Sequence, residues 1–283
     1  MSVPVTAIVA AYNEERHIAE CLESLRAQTY APLEILVVDD GSTDGTVAVV
    51  EGFPDVRLLR RTHTGKAHSV NAAAQAAQGE IILILDADLA FDPGYVQALV
   101  EPIASGREIG TAHATELVAN PANRWARCLQ ASYGLPPERR LDLSAEDVAA
   151  GSIVYRAVRR ADFLGVGGFD DIGYLDDQTL FPKLKRRARF VPEAVCRHYN
   201  PERLSEVVAA GVWGAHTVLH LHGKRSVIHY LPPLSAVRAL RTGLRAGSAS
   251  RVLYELAREW GVFKGLVARL WPGMGTRGDY RRA

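Results

Sequence analysis

The chain of 283 residues contains little cysteine, and its three cysteines lie far apart. Cys21, Cys128 and Cys196 form neither a disulfide framework nor a zinc-binding pattern, so we expect a reducing compartment. The sequence has no run of about 18 consecutive apolar residues, which argues against a membrane-spanning helix. The N-terminus has no basic region followed by an apolar stretch, so we expect no secretion signal. Together these absences predict a cytoplasmic protein.

The chain also lacks an overall charge bias, because its formal net charge is only +1. We therefore expect no nucleic-acid partner. The charges are nevertheless unevenly distributed. Ten basic and three acidic residues lie between Ser235 and the C-terminus, a net charge of +7, whereas the other 23 basic and 29 acidic residues give −6. This asymmetry indicates that the C-terminal part has a more basic surface than the rest of the chain, and it does not indicate a particular fold.

Short apolar runs alternate with helical patterns through the first hundred residues, which is typical of a doubly wound, mostly parallel sheet. The predicted strands are Val5–Ala11, Leu33–Val38, Val56–Leu59 and Ile81–Leu85. Such sheets bind ligands at the carboxyl ends of their strands. Three of these predicted strands end in polar or acidic residues: Tyr12-Asn13-Glu14, Asp39-Asp40 and Asp86-Ala87-Asp88.

The triplet Asp86-Ala87-Asp88 carries the strongest chemical signal. Mg²⁺ and Mn²⁺ prefer oxygen ligands, and they often bind through one or two carboxylates together with substrate phosphates. Two aspartates separated by one residue could address one such ion, which would offset the negative charge of a departing diphosphate. The alternative is a solvated turn, since Asp favours turns. The position after a buried strand favours the metal.

Two further segments combine structural and functional possibilities. In Asp39-Asp40-Gly41-Ser42, Asp-Gly sets a bend, and we expect Asp40 to be free to accept hydrogen bonds from a base such as uracil. Lys66 lies one residue into a predicted helix, Gly65–Ala77. It is either a solvated surface lysine or a phosphate ligand, because helix N-termini favour anions.

The segments AAYNEE, VVDDGSTDGT, GKAHSVNAA and LDADLAFDP, in this order and spacing, resemble the family 2 inverting glycosyltransferases of the GT-A fold. A later segment, VGGFDDIGYLDDQTLF, resembles the acceptor half of the same family. The resemblance covers about residues 3–200. It implies a metal-dependent transfer of sugar from a nucleotide-diphosphate sugar, with a UDP-sugar as the favoured donor and Mg²⁺ or Mn²⁺ as the cofactor.

The resemblance also implies roles for individual residues. Asp86 and Asp88 would hold the metal and the donor, and Asp177 would be the catalytic base. Asp177 takes the second position of the family's Glu-Asp pair, which is Asp-Asp here, so the register could differ by one. His198 is either a further metal ligand or a structural histidine. The implied nucleotide-sugar-binding residues are Ala10, Ala11, Tyr12, Glu14, Asp40, Lys66, Asp86, Ala87 and Asp88.

The predicted domain organisation places the GT-A catalytic domain at 1–203, with a nucleotide-sugar half at 1–107 and an acceptor half at 108–203. In the acceptor half we predict a strand over Asp147–Arg156 and a helix over Asp176–Arg187. A helical, arginine-rich appendage follows at 204–283. The Q-x-x-R-W motif and the flanking membrane spans of the family's processive synthases are absent from this sequence, so we expect a single transfer.

The appendage has two interpretations. Its helices could pack against the catalytic domain or a second subunit of a homodimer, with the arginines outward. Alternatively, they could lie on an anionic membrane at the inner face of the cell membrane, as basic helices with Trp and Phe often do. A lipid-linked acceptor or a cell-envelope glycan precursor would suit the second interpretation. The acceptor itself is not identified by the sequence.

Two other functions compete with glycosyl transfer. The first is a sugar-phosphate nucleotidyltransferase, but that class usually carries a glycine- and arginine-rich phosphate loop where this chain has AAYNEE. The second is a non-catalytic nucleotide-sugar sensor or scaffold. The complete set of acidic residues argues against a non-catalytic protein. A measurement of turnover would distinguish an enzyme from a sensor or scaffold.

Overall fold

The computed structural model describes residues 2–141, 143–173, 175–223 and 228–270. Arg277, Arg281 and Arg282, which contribute to the predicted basic region, lie outside the described residues. The chain divides into two compact units. The first comprises Met1–Ala119, Arg139–Asp171 and Asp176–Tyr199, and the second comprises Asn120–Glu138, Ile172–Leu175 and Asn200–Ala283. Within the described residues, every helix is too short or too polar to cross a bilayer.

In the first unit, the described residues form one mixed sheet of eight strands. The strands are β1 (Val5–Ala11), β2 (Leu33–Asp39), β3 (Arg57–Arg60), β4 (Ile81–Asp86), β5 (Leu89–Phe91), β6 (Gly110–Val118), β7 (Ala157–Arg159) and β8 (Arg189–His198). Their order across the sheet is β3-β2-β1-β4-β7-β6-β8-β5. The helices of this unit are α1 (Ile18–Arg26), α2 (Thr46–Glu51), α3 (Lys66–Ala76), α4 (Tyr95–Ala104), α6 (Ala145–Ala150), α7 (Arg160–Gly165) and α8 (Leu180–Leu184), the last preceded by a 3₁₀ turn, Asp176–Thr179.

Strands β3, β2, β1 and β4 are parallel, as the sequence predicts. Their register sets Ala10 opposite Asp86 and Ala11 opposite Asp39, so the strand ends meet at one edge. Alternate residues of the central strands enter two hydrophobic clusters, one on each face of the sheet. Burial on both faces explains why these strands are continuous apolar runs.

The second half of the sheet adds antiparallel pairs. Strand β7 is antiparallel to β4 and β6, whereas β8 is parallel to β6 and antiparallel to β5. The β5–β8 register sets His198 opposite Leu89, the residue after Asp88. This pairing brings a residue from late in the chain to the end of β4.

Two elements differ from the sequence prediction. The predicted strand Asp147–Arg156 is wrong, because Ala145–Ala150 is a helix. Ser144 and Asp147 form a reciprocal capping box, and such a box stabilises a helix start. The predicted helix Asp176–Arg187 is shorter, since it consists of the 3₁₀ turn and α8 and ends at Leu184. Lys185 caps it with a φ of +55°.

The second unit is helical where it is described. Its helices are α5 (Arg124–Tyr133), α9 (Leu204–His222), α10 (Pro232–Arg245) and α11 (Ala249–Leu270). Helices α9 and α11 approach closely through glycine, because a Cβ at Gly261 would lie 2.2 Å from the carbonyl oxygen of Val208. Arg251 of α11 is buried, and it pairs with Glu255 at 2.7 Å.

Candidate active site at the ends of the parallel strands

Asp86, the last residue of β4, lies between two cations. Lys66 Nζ is 2.5 Å from its Oδ1, and Arg156 Nη1 is 3.1 Å from its Oδ2. Burial acts to raise the pKa of Asp86, but Lys66 and Arg156 hold the pKa well below its ordinary value. Asp86 is therefore an ionised carboxylate with both oxygens paired. The sequence did not reveal Arg156 as a site residue, because Arg156 lies in the segment that was predicted to be a strand.

Asp88 contacts His198, whose ring lies between two carboxylates. His198 Nε2 lies 3.0 Å from Asp88 Oδ2, and the other ring nitrogen, Nδ1, lies 2.5 Å from Glu116 Oε1. Burial alone would lower the pKa of His198, but the charge of Asp88 and the hydrogen bonds to Asp88 and Glu116 raise it to about 9. The imidazole is therefore fixed in orientation by two carboxylates.

Glu116 is the centre of a buried polar network behind His198. Its Oε2 lies 3.1 Å from His113 Nε2, and Arg140 Nε donates to Oε1 at 3.1 Å. The hydrogen-bond network continues from His113 Nδ1 to the hydroxyl of Tyr95 at 2.9 Å. Burial opposes ionisation, but the hydrogen bonds from the two histidines hold the pKa of Glu116 well below its ordinary value. The sequence did not reveal Glu116 as a site residue, because no local pattern marks which polar residue of a strand will contact a partner from a distant segment.

Glu14 adds a further acid to this end of the sheet. Burial, followed by the charges of Asp88 and Asp86, raises the pKa of Glu14 to about 9. Its backbone N–H donates to Thr46 Oγ1 at 2.7 Å. Burial and the two neighbouring carboxylates thus favour the protonated form of Glu14.

A divalent cation fits the chemistry of this cluster. Asp86 and Asp88 supply hard oxygen ligands, and His198 supplies an imidazole nitrogen. Among the described residues, no three His, Cys, Asp or Glu side chains are arranged to hold an ion by themselves. A divalent ion at this place would therefore need ligands beyond these side chains, such as phosphate and water.

The structure corrects one expectation at Asp40, whose carboxylate is not free. Asp40 is 4% exposed, and it accepts hydrogen bonds from Thr64 N at 3.0 Å, Gly65 N at 2.9 Å and Ser69 Oγ at 2.6 Å. It therefore holds the start of α3 in place, which satisfies helix N–H groups that otherwise lack partners. A contact between Asp40 and a nucleotide base stays a prediction.

The remaining predicted nucleotide ligands lie along the same edge. Tyr12 follows β1, and its ring stacks on that of His63, with centroids 4.3 Å apart. Ala10 is partly exposed, whereas Ala11 and Ala87 are buried in a hydrophobic cluster. The methyl groups of Ala11 and Ala87 face the core, so these two residues offer a ligand only their backbone.

The acidic pair of the 3₁₀ turn lies near the same cations. Burial acts to lower the pKa of Lys66, but Asp86, Asp176 and Asp177 raise it above its ordinary value. Asp86 and Asp177 similarly raise the pKa of Arg156 against burial. Asp176 is 3% exposed, whereas Asp177 is partly exposed. Of the two, Asp177 is the more accessible to a substrate.

Comparison with known proteins identifies the family. The sequence profile "Glycosyl transferase family 2" matches residues 6–165. An uncharacterised glycosyltransferase of Nostoc sp. is 32% identical over 119 residues, which cover 40% of this chain and 37% of the relative. The hyaluronan synthase of Pasteurella multocida is 32% identical over 193 residues, or 66% of this chain and 19% of the synthase. The chain spans 26% to 37% of the length of three curated relatives that it matches.

Solved structures share the fold. The mannosyltransferase PcManGT of Pyrobaculum calidifontis, in complex with GDP-Man and Mn²⁺, aligns with a TM-score of 0.57 and 24% identity over 95% of this chain and 87% of its own. Staphylococcus aureus TarS 1–349, in complex with UDP-GlcNAc, aligns with a TM-score of 0.55 and 17% identity over 90% of both chains. The expected GT-A fold is thus confirmed, and the profile match over more than half of the sequence shows that the chain belongs to glycosyl transferase family 2.

Proposed function

We propose that the chain is a metal-dependent, inverting glycosyltransferase that moves one sugar from a nucleotide-diphosphate sugar to a hydroxyl acceptor. The observation that carries the proposal is the grouping of Asp86, Asp88 and His198 beside Lys66 and Arg156. Carboxylates suited to a divalent ion and cations suited to phosphate meet at the strand ends, where open α/β sheets bind ligands. Membership of family 2 supports the same reaction class.

The donor that we propose is a UDP-sugar, with Ala10, Ala11, Tyr12 and Glu14 lining the nucleotide pocket. The stacked rings of Tyr12 and His63 offer an aromatic wall at the end of β1. The structures that share the fold include one complex with GDP-Man and Mn²⁺ and one with UDP-GlcNAc, so either nucleotide suits the architecture. The test of turnover therefore compares UDP- and GDP-sugars.

We propose Asp86, Asp88 and His198 as the residues that hold Mg²⁺ or Mn²⁺, which would neutralise charge on the departing diphosphate. The protein's own cations, Lys66 and Arg156, lie close enough to Asp86 to meet the same diphosphate. For Asp86 to take part, one of its present contacts must be exchanged for the ligand.

Asp177 is the proposed catalytic base, which would take the proton of the acceptor hydroxyl as the hydroxyl attacks the anomeric carbon. Its partial exposure and its place within electrostatic reach of Arg156 support this choice over the buried Asp176. Inversion requires this base on the face of the sugar opposite the departing nucleotide. The acceptor is a hydroxyl compound of unidentified structure.

The test is nucleoside diphosphate release from UDP- and GDP-sugars, measured with Mn²⁺, with Mg²⁺ and with a chelator. We expect release with one nucleotide, and only with metal. Asp177→Asn should reduce turnover at least a hundred-fold while donor binding persists, since a positioned base contributes that much or more. Asp171→Asn, an exposed neighbour, is the control and should keep full turnover. Metal-independent release, or an active Asp177→Asn variant, would refute the assignment.

A further inference from the structure

Helix α10 presents large apolar side chains to solvent. Leu234, Val237 and Leu244 are 54%, 48% and 70% exposed, and Arg241 and Arg245 are exposed among them. At 100° per residue these five side chains share one side of the helix. We refer to them as the outer face of α10.

The opposite side of α10 packs through small residues. Ser235, Ala239 and Gly243 are buried, and a Cβ at Gly243 would lie 2.5 Å from Val252 Cα of α11. An ordinary surface helix buries its large apolar residues and exposes polar ones. Helix α10 does the reverse, so packing against the described residues of its own unit does not account for the leucines of the outer face.

The charge of α10 has one sign only. Its 14 residues include Arg238, Arg241 and Arg245 and no acidic residue. Arg238 pairs with Glu259 of α11, whereas Arg241 and Arg245 have no ion pair among the residues that the structure describes. The outer face therefore combines apolar side chains with uncompensated positive charge.

A second copy of the chain is a poor occupant for this face. A two-fold dimer pairs a patch with itself, so the arginines of both copies would meet without an acidic partner on either face. An anionic bilayer matches both features at once. Leucine and valine can enter the boundary between headgroups and acyl chains, while arginines extend their charged ends to lipid phosphates.

We propose that the outer face of α10 docks the protein on an anionic lipid surface. The interaction is peripheral, with the helix lying in the interfacial plane. It is independent of the proposed sugar transfer, because none of the five residues belongs to the candidate active site. Docking would place the enzyme where acceptors with a lipid anchor are concentrated.

The test is co-sedimentation of the full chain with vesicles of neutral phosphatidylcholine, with and without added anionic phosphatidylglycerol. We expect binding only to the anionic vesicles, and weakening when salt rises from about 0.1 to 1 M, which shortens the Debye length from about 10 to about 3 Å. Arg241→Gln with Arg245→Gln should weaken binding roughly thirty-fold, since each arginine near such a surface contributes about five-fold. Leu234→Ser with Leu244→Ser should weaken binding roughly ten-fold or more, because it removes two buried apolar side chains.

The matched control is Arg60→Gln with Arg107→Gln, which changes the net charge equally. Both residues are exposed in the first unit, with acidic partners at the surface. This control should bind vesicles as the unchanged protein does. Equal binding to neutral and anionic vesicles, or an equal effect of the two arginine pairs, would overturn the proposal. So would a dimer that the leucine variant dissociates without any change in vesicle binding, because the occupant would then be a second copy.

Discussion

The substitution Asp176→Asn tests whether a buried charge at the acidic site lowers the stability of the folded protein. The side chain is 3% exposed, and its Oδ1 is buried without a hydrogen-bond partner among the described residues. Burial, then the charges of Asp177 and Asp86, raise the pKa of Asp176 to about 6, although Lys66 opposes the rise. Ionised Asp176 is therefore unfavourable in the folded protein.

The sign and size of the effect follow from the two pKa values. The folded-state pKa of about 6 exceeds the ordinary value of 3.8, so the folded state binds more protons between these two pH values. The free energy of unfolding falls as pH rises through this window, and the loss is complete above about pH 6. The difference corresponds to roughly 3 kcal/mol at pH 7, as an upper bound.

Asp176→Asn removes the buried charge, so we expect the free energy of unfolding at pH 7 to rise by about 1 to 3 kcal/mol. At pH 4 most of the gain should be lost, because Asp176 is then protonated in the folded state and partly protonated in the unfolded state. Urea unfolding at pH 4 and pH 7 measures both values, with Asp171→Asn as the exposed control. A variant that is no more stable than the parent at pH 7, or equally stabilised at both pH values, would refute this reasoning.

Two further changes test other parts of the structure. Glu116→Gln removes the carboxylate that orients His198. The affinity for Mn²⁺, measured by calorimetry, should therefore fall about 10- to 100-fold, as it does when residues that orient metal ligands are changed. An unchanged affinity would show that Glu116 has no role in metal binding. Gly79→Ala would place a Cβ 2.4 Å from the backbone nitrogen of Thr6, so the free energy of unfolding should fall by about 1 to 3 kcal/mol or more. Urea unfolding checks this, with Gly94→Ala as control, where a Cβ meets nothing within 4 Å; equal effects at both glycines would contradict the packing argument.

The sequence predicted the parallel half of the fold well. Strands buried on both faces are continuous apolar runs, so β1, β2 and β4 are visible without a structure. The adjacency of Asp39 and Asp86 follows, because parallel strands end at the same edge. The segment Asp147–Arg156 was harder, since a short apolar stretch does not distinguish strand from helix, and the capping box at Ser144 decided the outcome.

The sequence predicted less of the site, because several partners come from distant segments. Arg156 reaches Asp86 across 70 positions, and Glu116 reaches His198 across 82. Such pairs depend on the register between strands, which no local pattern encodes. Asp40 illustrates the converse, since its carboxylate is conspicuous in sequence and yet is occupied by the start of α3.

The appendage shows the same limit. Helix α11 buries Tyr254 and Leu266 within its unit, as a packed helix should. Helix α10 has a similar alternation of apolar and basic residues, yet its leucines face outward. Periodicity defines the two sides of a helix, but the choice of which side packs depends here on the small residues Ala239 and Gly243.

The central claim, a metal-dependent nucleotide-sugar site, is tested most directly by thermal unfolding with UDP, GDP, dTDP or CDP, each with and without Mn²⁺. We expect one nucleotide to stabilise the protein, and only with metal, by about 2.7 kcal/mol at a ligand concentration 100 times the Kd. Asp88→Asn should abolish that stabilisation. If no nucleotide stabilises the protein with either Mn²⁺ or Mg²⁺, or if stabilisation is the same without metal and in Asp88→Asn, the account is contradicted.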